Sequence, residues 1–331
     1  MKKILVLATG GTIVSTVQQN GLAPGLTLNE LAHYFTDHHQ IDTTISFKIL
    51  MNKDSTNMQP EDWLTIARAI QANCDKFDGF IITHGTDTMA YTASGLSYLL
   101  LGIDKTVVIT GSQIPVSFKK TDATKNIKDA LTFAAHSDLP GVFVVFDGKA
   151  ILGTRAIKMR TKSYDAFKSV NFPYIASISD GKITVDYRPQ LESIPFQSKM
   201  DLCPDVFLLK AFPGLTPQFF DFISEHTKGL IIESFGNGGL PFEQRDLVSG
   251  VQKLVQSGLP VIITTQCLEE GQNMALYEVG KKVSEAGGIT AGDMNTEAIV
   301  AKLMWILADT SEPAEIKRRL QTPIAHDLSY V

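Results

Sequence analysis

The chain has 331 residues, 44% of them hydrophobic and 20% charged, which is ordinary globular composition and enough length for two domains with separate cores. A formal net charge of -5 argues against a nucleic-acid surface, and no apolar stretch approaches the ~20 residues that span a membrane. The three cysteines, Cys74, Cys203 and Cys267, have neither metal nor disulfide spacing, which fits a reducing compartment.

The start, Lys2-Lys3 followed by Ile4-Leu5-Val6-Leu7-Ala8, has the outline of a secretion signal. Its apolar run is too short, however, and breaks at Gly10-Gly11. A buried first strand over Lys3–Ala8 and a cytoplasmic location are expected instead. Further strands are expected at Ile45–Met51, Gly79–Thr83, Thr106–Thr110 and Gly141–Phe146. Helical periodicity fills Pro60–Asn73, Thr88–Leu101 and Asp122–Ala135 between them. Pro60 suits a first helical turn, where Glu61 and Asp62 complement the helix dipole. This alternation predicts a mostly parallel sheet covered on both faces. Past Ile151 the pattern shortens, and Tyr174–Ile178 and Lys182–Asp186 read as small antiparallel pieces. Pro189, Pro195 and Pro204 punctuate a stretch without periodicity, read as a linker. A second series follows, with strands at Val206–Lys210, Gly229–Ser234 and Leu259–Thr264 and helices starting near Pro217, Pro241 and Thr296. The predicted fold is α/β, with two α/β domains. The larger N-terminal one (1–188) holds a mostly parallel sheet flanked by helices. A linker (189–204) leads to a smaller C-terminal parallel-sheet domain (205–331).

Chemistry concentrates where predicted strands end. In open α/β sheets, ligands bind outside the carboxyl ends of the strands. Thr9-Gly10-Gly11-Thr12 follows the first strand and Thr83-His84-Gly85-Thr86-Asp87-Thr88 follows the third. Neither has the lysine of a P-loop nor the spacing of a dinucleotide fingerprint. A lone Gly-Gly-Thr is most simply a tight turn. For the second motif, a helix start with Asp87 in its first turn competes evenly with an active site. His84 reads as a packing or hydrogen-bonding histidine, because no second metal ligand has suitable spacing. Asp54-Ser55-Thr56-Asn57-Met58 is either a polar loop into the Pro60 helix or a set of donors for a carboxylate. Arg155, Lys158, Arg160 and Lys162 form a basic run whose usual meaning is a solvated face. A lysine tucked against an acid and a hydroxyl would instead be a proton-relay candidate. No G-x-S-x-G elbow is present.

Together these residues resemble the bacterial-type L-asparaginase family over essentially the whole chain. Ala8-Thr9-Gly10-Gly11-Thr12-Ile13 looks like its first signature, and Thr83-His84-Gly85-Thr86-Asp87-Thr88-Met89 like its second. Asp54 through Met58, Gly111-Ser112-Gln113 and Arg155 through Lys158 fit as well. The Thr265-Gln266-Cys267 loop resembles the cytoplasmic, type I branch. The resemblance implies hydrolysis of the side-chain amide of L-asparagine to L-aspartate and ammonia, with no metal or organic cofactor. It implies Thr12 as nucleophile, with Thr86, Asp87 and Lys158 in support. Gly11, Asp54, Ser55, Thr56, Gly85, Thr86, Asp87 and Ser112 would contact substrate. It also implies a homodimer or homotetramer, with a neighbouring subunit completing the site. No nucleic-acid or membrane partner is expected.

Two positions depart from the family pattern. Leu22 stands near the place of a lid tyrosine, and Gly238-Gly239-Leu240 lies where secreted relatives tend to carry an asparagine. Some cytoplasmic relatives bind a second asparagine beside the loop matching Thr265–Cys267. The neighbouring strand end here offers Glu233, which would repel a carboxylate ligand or instead contact its ammonium group, and no strong homotropic activation by asparagine is expected there. Three rivals remain. A glutaminase-asparaginase differs by one methylene of substrate, which discriminates by only ~1–3 kcal/mol. An amidotransferase subunit acting on charged tRNA would need an RNA-binding region for which this chain shows no basic patch. A non-catalytic amino-acid sensor is disfavoured by retention of Thr12, Thr86, Asp87 and Lys158 together.

Overall fold

The computed structural model describes all residues except 12, 14, 19–20, 25–27, 37–42, 190–194, 197–199 and 330–331. The chain divides into two compact units, Met1–Met200 and Asp201–Val331. Half of the expected linker, residues 190–194 and 197–199, lies outside the described residues.

In the first unit the elements are β1 (Lys2–Gly10), β2 (Ser15–Gln18), β3 (Gly21–Pro24), α1 (Leu28–Thr36), β4 (Thr43–Lys53), α2 (Pro60–Gln71), β5 (Gly79–Thr83), α3 (Met89–Leu99), β6 (Thr106–Thr110), α4 (Ala123–His136) and β7 (Gly141–Phe146). The shorter β8 (Lys149–Leu152), β9 (Ala156–Lys158), β10 (Phe167–Ser169), β11 (Ala176–Ser179) and β12 (Lys182–Val185) follow. Eight strands form one sheet in the order β12-β11-β8-β7-β6-β5-β1-β4. From β4 to β7 every pairing is parallel, and from β7 to β12 every pairing is antiparallel.

The central strands are apolar throughout because both faces are covered. Along β1, Ile4, Val6 and Ala8 join one core with Ile81, Val108 and Phe143 of the sheet and with Phe35, Ile127, Leu131 and Phe133 of α1 and α4. Leu5 and Leu7 are buried too and, by strand alternation, belong to the opposite face. At the start of α2, Pro60 stands in the first turn, and Asp62 Oδ2 accepts from Gln59 N at 2.9 Å in a capping box.

The second unit holds β13 (Val206–Lys210), α5 (Phe219–His226), β14 (Gly229–Ser234), α6 (Leu247–Gln256), β15 (Val261–Thr265), α7 (Glu278–Glu285), β16 (Ile289–Thr290), α8 (Thr296–Leu307) and α9 (Pro313–Gln321). Its sheet runs β13-β14-β15-β16, parallel throughout. The helix expected near Pro241 begins six residues later. Asp246 is its N-cap, accepting from Ser249 N at 2.9 Å, and Pro241 O accepts from Leu247 N at 2.9 Å, so Pro241 belongs to the preceding loop. Inside this unit, Lys302 and Asp327 form a fully buried ion pair at 2.7 Å, and Lys302 Nζ also donates to Leu320 O and Thr322 O. These bonds satisfy a charge that would be costly to bury alone.

Candidate active site

The loops after β1, β4 and β5 interlock at the carboxyl edge of the larger sheet. Gly10 and Gly11 have φ of 107° and 82°, a region that strains any residue with a Cβ. Gly11 N donates to Lys53 O at 2.9 Å, which binds the β1 loop to the end of β4. A side chain on Gly11 would collide with the Gly85 backbone, and one on Gly85 would lie 2.5 Å from Ser55 Oγ. Backbone packing this close brings the first two glycine-threonine signatures and the Ser55 loop together. Thr12 itself lies outside the described residues.

Lys158 links the chemistry. It sits at the end of β9, whose pairing partner β10 places Phe167 opposite it. Lys158 Nζ donates to Thr86 Oγ1 at 2.7 Å and to Asp87 Oδ1 at 2.6 Å. The lysine side chain is 15% exposed and the aspartate 56% exposed, so the cation is sheltered while the carboxylate faces solvent. The basic run therefore divides. Arg155 is fully buried, with its guanidinium 5.3 Å from the Phe172 ring; Arg160 pairs with Asp165 at 3.0 Å; Lys162 is exposed. Of these four cations, Lys158 meets the acid-and-hydroxyl criterion and Lys162 fits the solvated-face description.

The other residues singled out in the sequence take distinct places. Ser55 is buried; its Oγ accepts from Asp87 N at 3.2 Å, and its carbonyl accepts from Thr88 Oγ1 at 2.7 Å. Asp54 Oδ1 accepts from Thr56 Oγ1 at 2.7 Å and Thr56 N at 2.9 Å, closing a 3-10 turn over Ser55–Asn57. Those two bonds, the hydroxyl first, hold the Asp54 carboxyl below its usual range. Ser112 donates to Ile114 O at 2.6 Å, within its own loop.

His84 is fully buried. Its Nδ1 lies 2.6 Å from Gly85 O and its Nε2 lies 2.9 Å from Thr92 Oγ1. A carbonyl only accepts, so Nδ1 carries the proton and Nε2 accepts from the threonine. Burial pushes the imidazole down to about 4, so it is neutral and both nitrogens are engaged. That leaves it no capacity to bind a metal.

Sequence reasoning placed Asp62 in a first helical turn but passed over its partner Lys53 and the role of Gln113. Lys53 Nζ donates to both carboxylate oxygens of Asp62 at 2.7 Å, fastening the end of β4 to α2. Gln113 Oε1 accepts from Thr86 Oγ1 at 3.2 Å. The pairing of β5 with β6 sets the loop after β6 beside the loop after β5.

In the second unit the carboxyl edge is built differently. Glu233 accepts from Thr296 Oγ1 at 2.7 Å and faces Lys210 at 3.6 Å. Gln266 Nε2 donates to Ala211 O at 2.6 Å and Glu233 O at 3.1 Å. An open recess of about 740 Å³, lined by Phe235, Leu240, Pro241, Phe242, Tyr277 and Val279, stands beside the Gly236–Gly239 turn. Among the described residues, no helix is long and apolar enough to cross a membrane.

Comparison with known proteins places both units. The family described as Asparaginase, N-terminal, matches residues 3–191, and the Glutaminase/Asparaginase C-terminal domain matches residues 205–320. The chain is 38% identical to an L-asparaginase of Thermococcus kodakarensis, covering 99% of each. It is 36% identical to a glutamyl-tRNA(Gln) amidotransferase subunit of Pyrococcus furiosus, covering 98% of this chain and 76% of that one. Among solved structures, the thermostable L-asparaginase from Thermococcus kodakarensis matches with a TM-score of 0.94 at 38% identity, over 99% of this chain and 100% of that one. L-asparaginase I from Vibrio cholerae matches with a TM-score of 0.88 at 29% identity, over 99% of both chains.

Proposed function

The chain belongs to the asparaginase family of amidohydrolases, enzymes acting on linear amides, and we propose that it hydrolyses L-asparagine to L-aspartate and ammonia. The observation that carries this reading is the placement of Lys158 Nζ within 2.7 Å of Thr86 Oγ1 and 2.6 Å of Asp87 Oδ1. A cation, a carboxylate and a hydroxyl meet there, next to the glycine turn that leads into Thr12.

An amide is a poor electrophile, and a threonine hydroxyl attacks it only when its proton is handled by a neighbouring group. Thr12 is the nucleophile in this reading, forming an acyl-enzyme that water then hydrolyses. Thr86 and Lys158 orient the reacting hydroxyl and manage its proton. Asp87, exposed and negative, holds the α-ammonium group of the substrate. Ser55 and Thr56 serve its α-carboxylate, with Asp54 fixing the Thr56 hydroxyl. Backbone N–H groups of the glycine-rich turns other than that of Gly11, which is held by Lys53 O, stabilise the oxyanion, worth roughly 2.7–4 kcal/mol per donor. Ser112 shapes the wall nearest the side-chain amide. The scheme uses no metal or organic cofactor. A cytoplasmic homodimer or homotetramer, with a second subunit completing the site, belongs to the same reading.

A second reading is favoured by the likeness to the glutamyl-tRNA(Gln) amidotransferase protein: glutamine, free or attached, as the amide donor. One experiment separates the two. Ammonia release from asparagine and from glutamine is measured in parallel, with and without chelator, and the acyl-enzyme of a slow asparagine analogue is mapped by mass spectrometry. The expected outcome is chelator-insensitive turnover with a clear preference for asparagine and an adduct on Thr12. Comparable specificity constants would overturn the preference, and an adduct on Thr86 would exchange the roles of the two threonines.

A further inference from the structure

The side-chain amide of Gln113 joins the loop after β6 to both halves of the Lys158 cluster. Its Nε2 donates to Arg160 O at 3.1 Å and to Ser163 O at 3.2 Å. Both partners are carbonyls, which only accept, so the amide nitrogen must face them and the amide oxygen must face Thr86. Oε1 is a pure acceptor 3.2 Å from Thr86 Oγ1, so the threonine donates its one proton to Gln113. Lys158 Nζ, 2.7 Å away, is then the donor in its bond to the same oxygen. Among the described residues, one lone pair is the remaining hydrogen-bonding capacity of the Thr86 hydroxyl.

The amide is held from behind. Gln113 N and Ile114 N donate to the two carboxylate oxygens of buried Asp122 at 2.9 and 3.0 Å. Asn126 Nδ2 braces the same carboxylate at 3.2 Å and the preceding Gly111 carbonyl at 3.0 Å. The backbone carrying Gln113 is thus fixed, and turning its side chain away from Thr86 would take the Nε2 donor from the Arg160 and Ser163 carbonyls.

We infer that Gln113 is a positioning residue that fixes the direction of the Thr86 hydroxyl proton. With the proton held on Gln113, Thr86 receives a hydrogen bond from Lys158 and presents its free lone pair to the reacting group. Without Gln113, the hydroxyl rotates, donates to other acceptors, and orients the reacting group only part of the time. This inference rests on reading Thr86 and Lys158 as part of an amide-hydrolysing centre.

Two measurements test it. Neutron diffraction from wild-type crystals grown in deuterated solvent locates the Thr86 deuteron directly. The expected position is between Thr86 Oγ1 and Gln113 Oε1; a deuteron of the hydroxyl pointing at Lys158 would overturn the inference. In the second, Gln113→Met, which keeps the length of the side chain and removes its hydrogen bonds, is assayed with asparagine. The expected loss is about 10²-fold in kcat with KM within about threefold, since alignment and not ground-state binding is lost. An unchanged kcat contradicts the inference. So does a change confined to KM and melting temperature, which is the signature of a support for the Arg160–Ser163 loop alone. A wild-type protein that hydrolyses no amide defeats the functional reading instead, and the neutron map still decides the direction of the hydroxyl.

Discussion

At the carboxyl edge of the larger sheet, Lys158 meets Asp87 and Thr86 at 2.6 and 2.7 Å, and the surrounding loops fit so closely that glycine is required between them. At the same edge of the smaller sheet, a glutamate is left incompletely paired. Glu297, half-buried as a residue, has its Oε2 buried without a hydrogen-bond partner. Burial, with a smaller contribution from Glu233, pushes this carboxyl up to about 7, even though it stands in the first turn of α8, where a helix dipole favours the charged form. Both edges come from parallel α/β units, so architecture alone does not make a reaction centre. The difference lies in which group is shared: at one edge the lysine is sheltered and bonds directly to both the hydroxyl and the carboxylate, while at the other Glu233 accepts from Thr296, exposed Lys210 stands 3.6 Å away, and the neighbouring turn is lined by apolar side chains.

The larger effect is expected at Gly85. In Gly85→Ala the new methyl meets Ser55, and either the Ser55 loop or the Thr86 loop must move. A displacement of that kind should cost about 10²-fold in kcat, while the same substitution at Gly258, where space is open but a φ of 90° strains any Cβ, should lower stability and leave the rate alone. Steady-state kinetics of the two variants checks this.

A smaller effect should appear in the acid stability of the first unit. His84 has an ordinary value of 6.5 and is pushed down to about 4 by burial, so the unfolded chain takes up its proton first as pH falls. The stability due to neutral His84 is complete above pH 6.5 and is lost as pH falls toward 4, by at most ~3 kcal/mol. Denaturant melts should show that slope in the wild type and a flatter one in His84→Gln, which keeps an N–H for the Gly85 carbonyl.

The second unit should behave in the opposite sense. Glu297 moves from 4.5 up to about 7, so the unfolded chain loses its proton first as pH rises. Stability should therefore fall between pH 4.5 and 7, and Glu297→Gln should remove roughly 1–3 kcal/mol of that penalty. The variant and the wild type should melt alike near pH 4 and diverge by pH 8, with turnover of asparagine little changed.

Much of the scaffold was legible in the chain. Runs such as Ile4–Leu7 and Phe80–Ile82 are uninterruptedly apolar because both faces of a central parallel strand are covered, and their shortness favours a strand over a helix. The polar helix Glu278–Glu285 and the strands Ala156–Lys158 and Phe167–Ser169 were not expected, since they are too short or too polar to show a period and depend on tertiary pairing. At the site, the glycine-threonine signatures marked the loops after β1 and β5. The basic run hid which cation turns inward, because that depends on the β9–β10 pairing. Gln113 was legible only as part of a motif, because its role comes from bonds to residues 27 and 47 to 50 positions away.

In the proposed reading, amide hydrolysis is carried out where Lys158 meets Thr86 and Asp87. The most direct measurement is ammonia release from asparagine by Lys158→Met and Lys162→Met, each purified beside the wild type and shown to be folded. The account predicts a fall in kcat of about 10²–10⁴-fold for Lys158→Met, the range for a lost acid–base group, and near wild-type turnover for Lys162→Met, whose lysine is exposed. Equal losses at the two positions, or full activity in Lys158→Met, would contradict it.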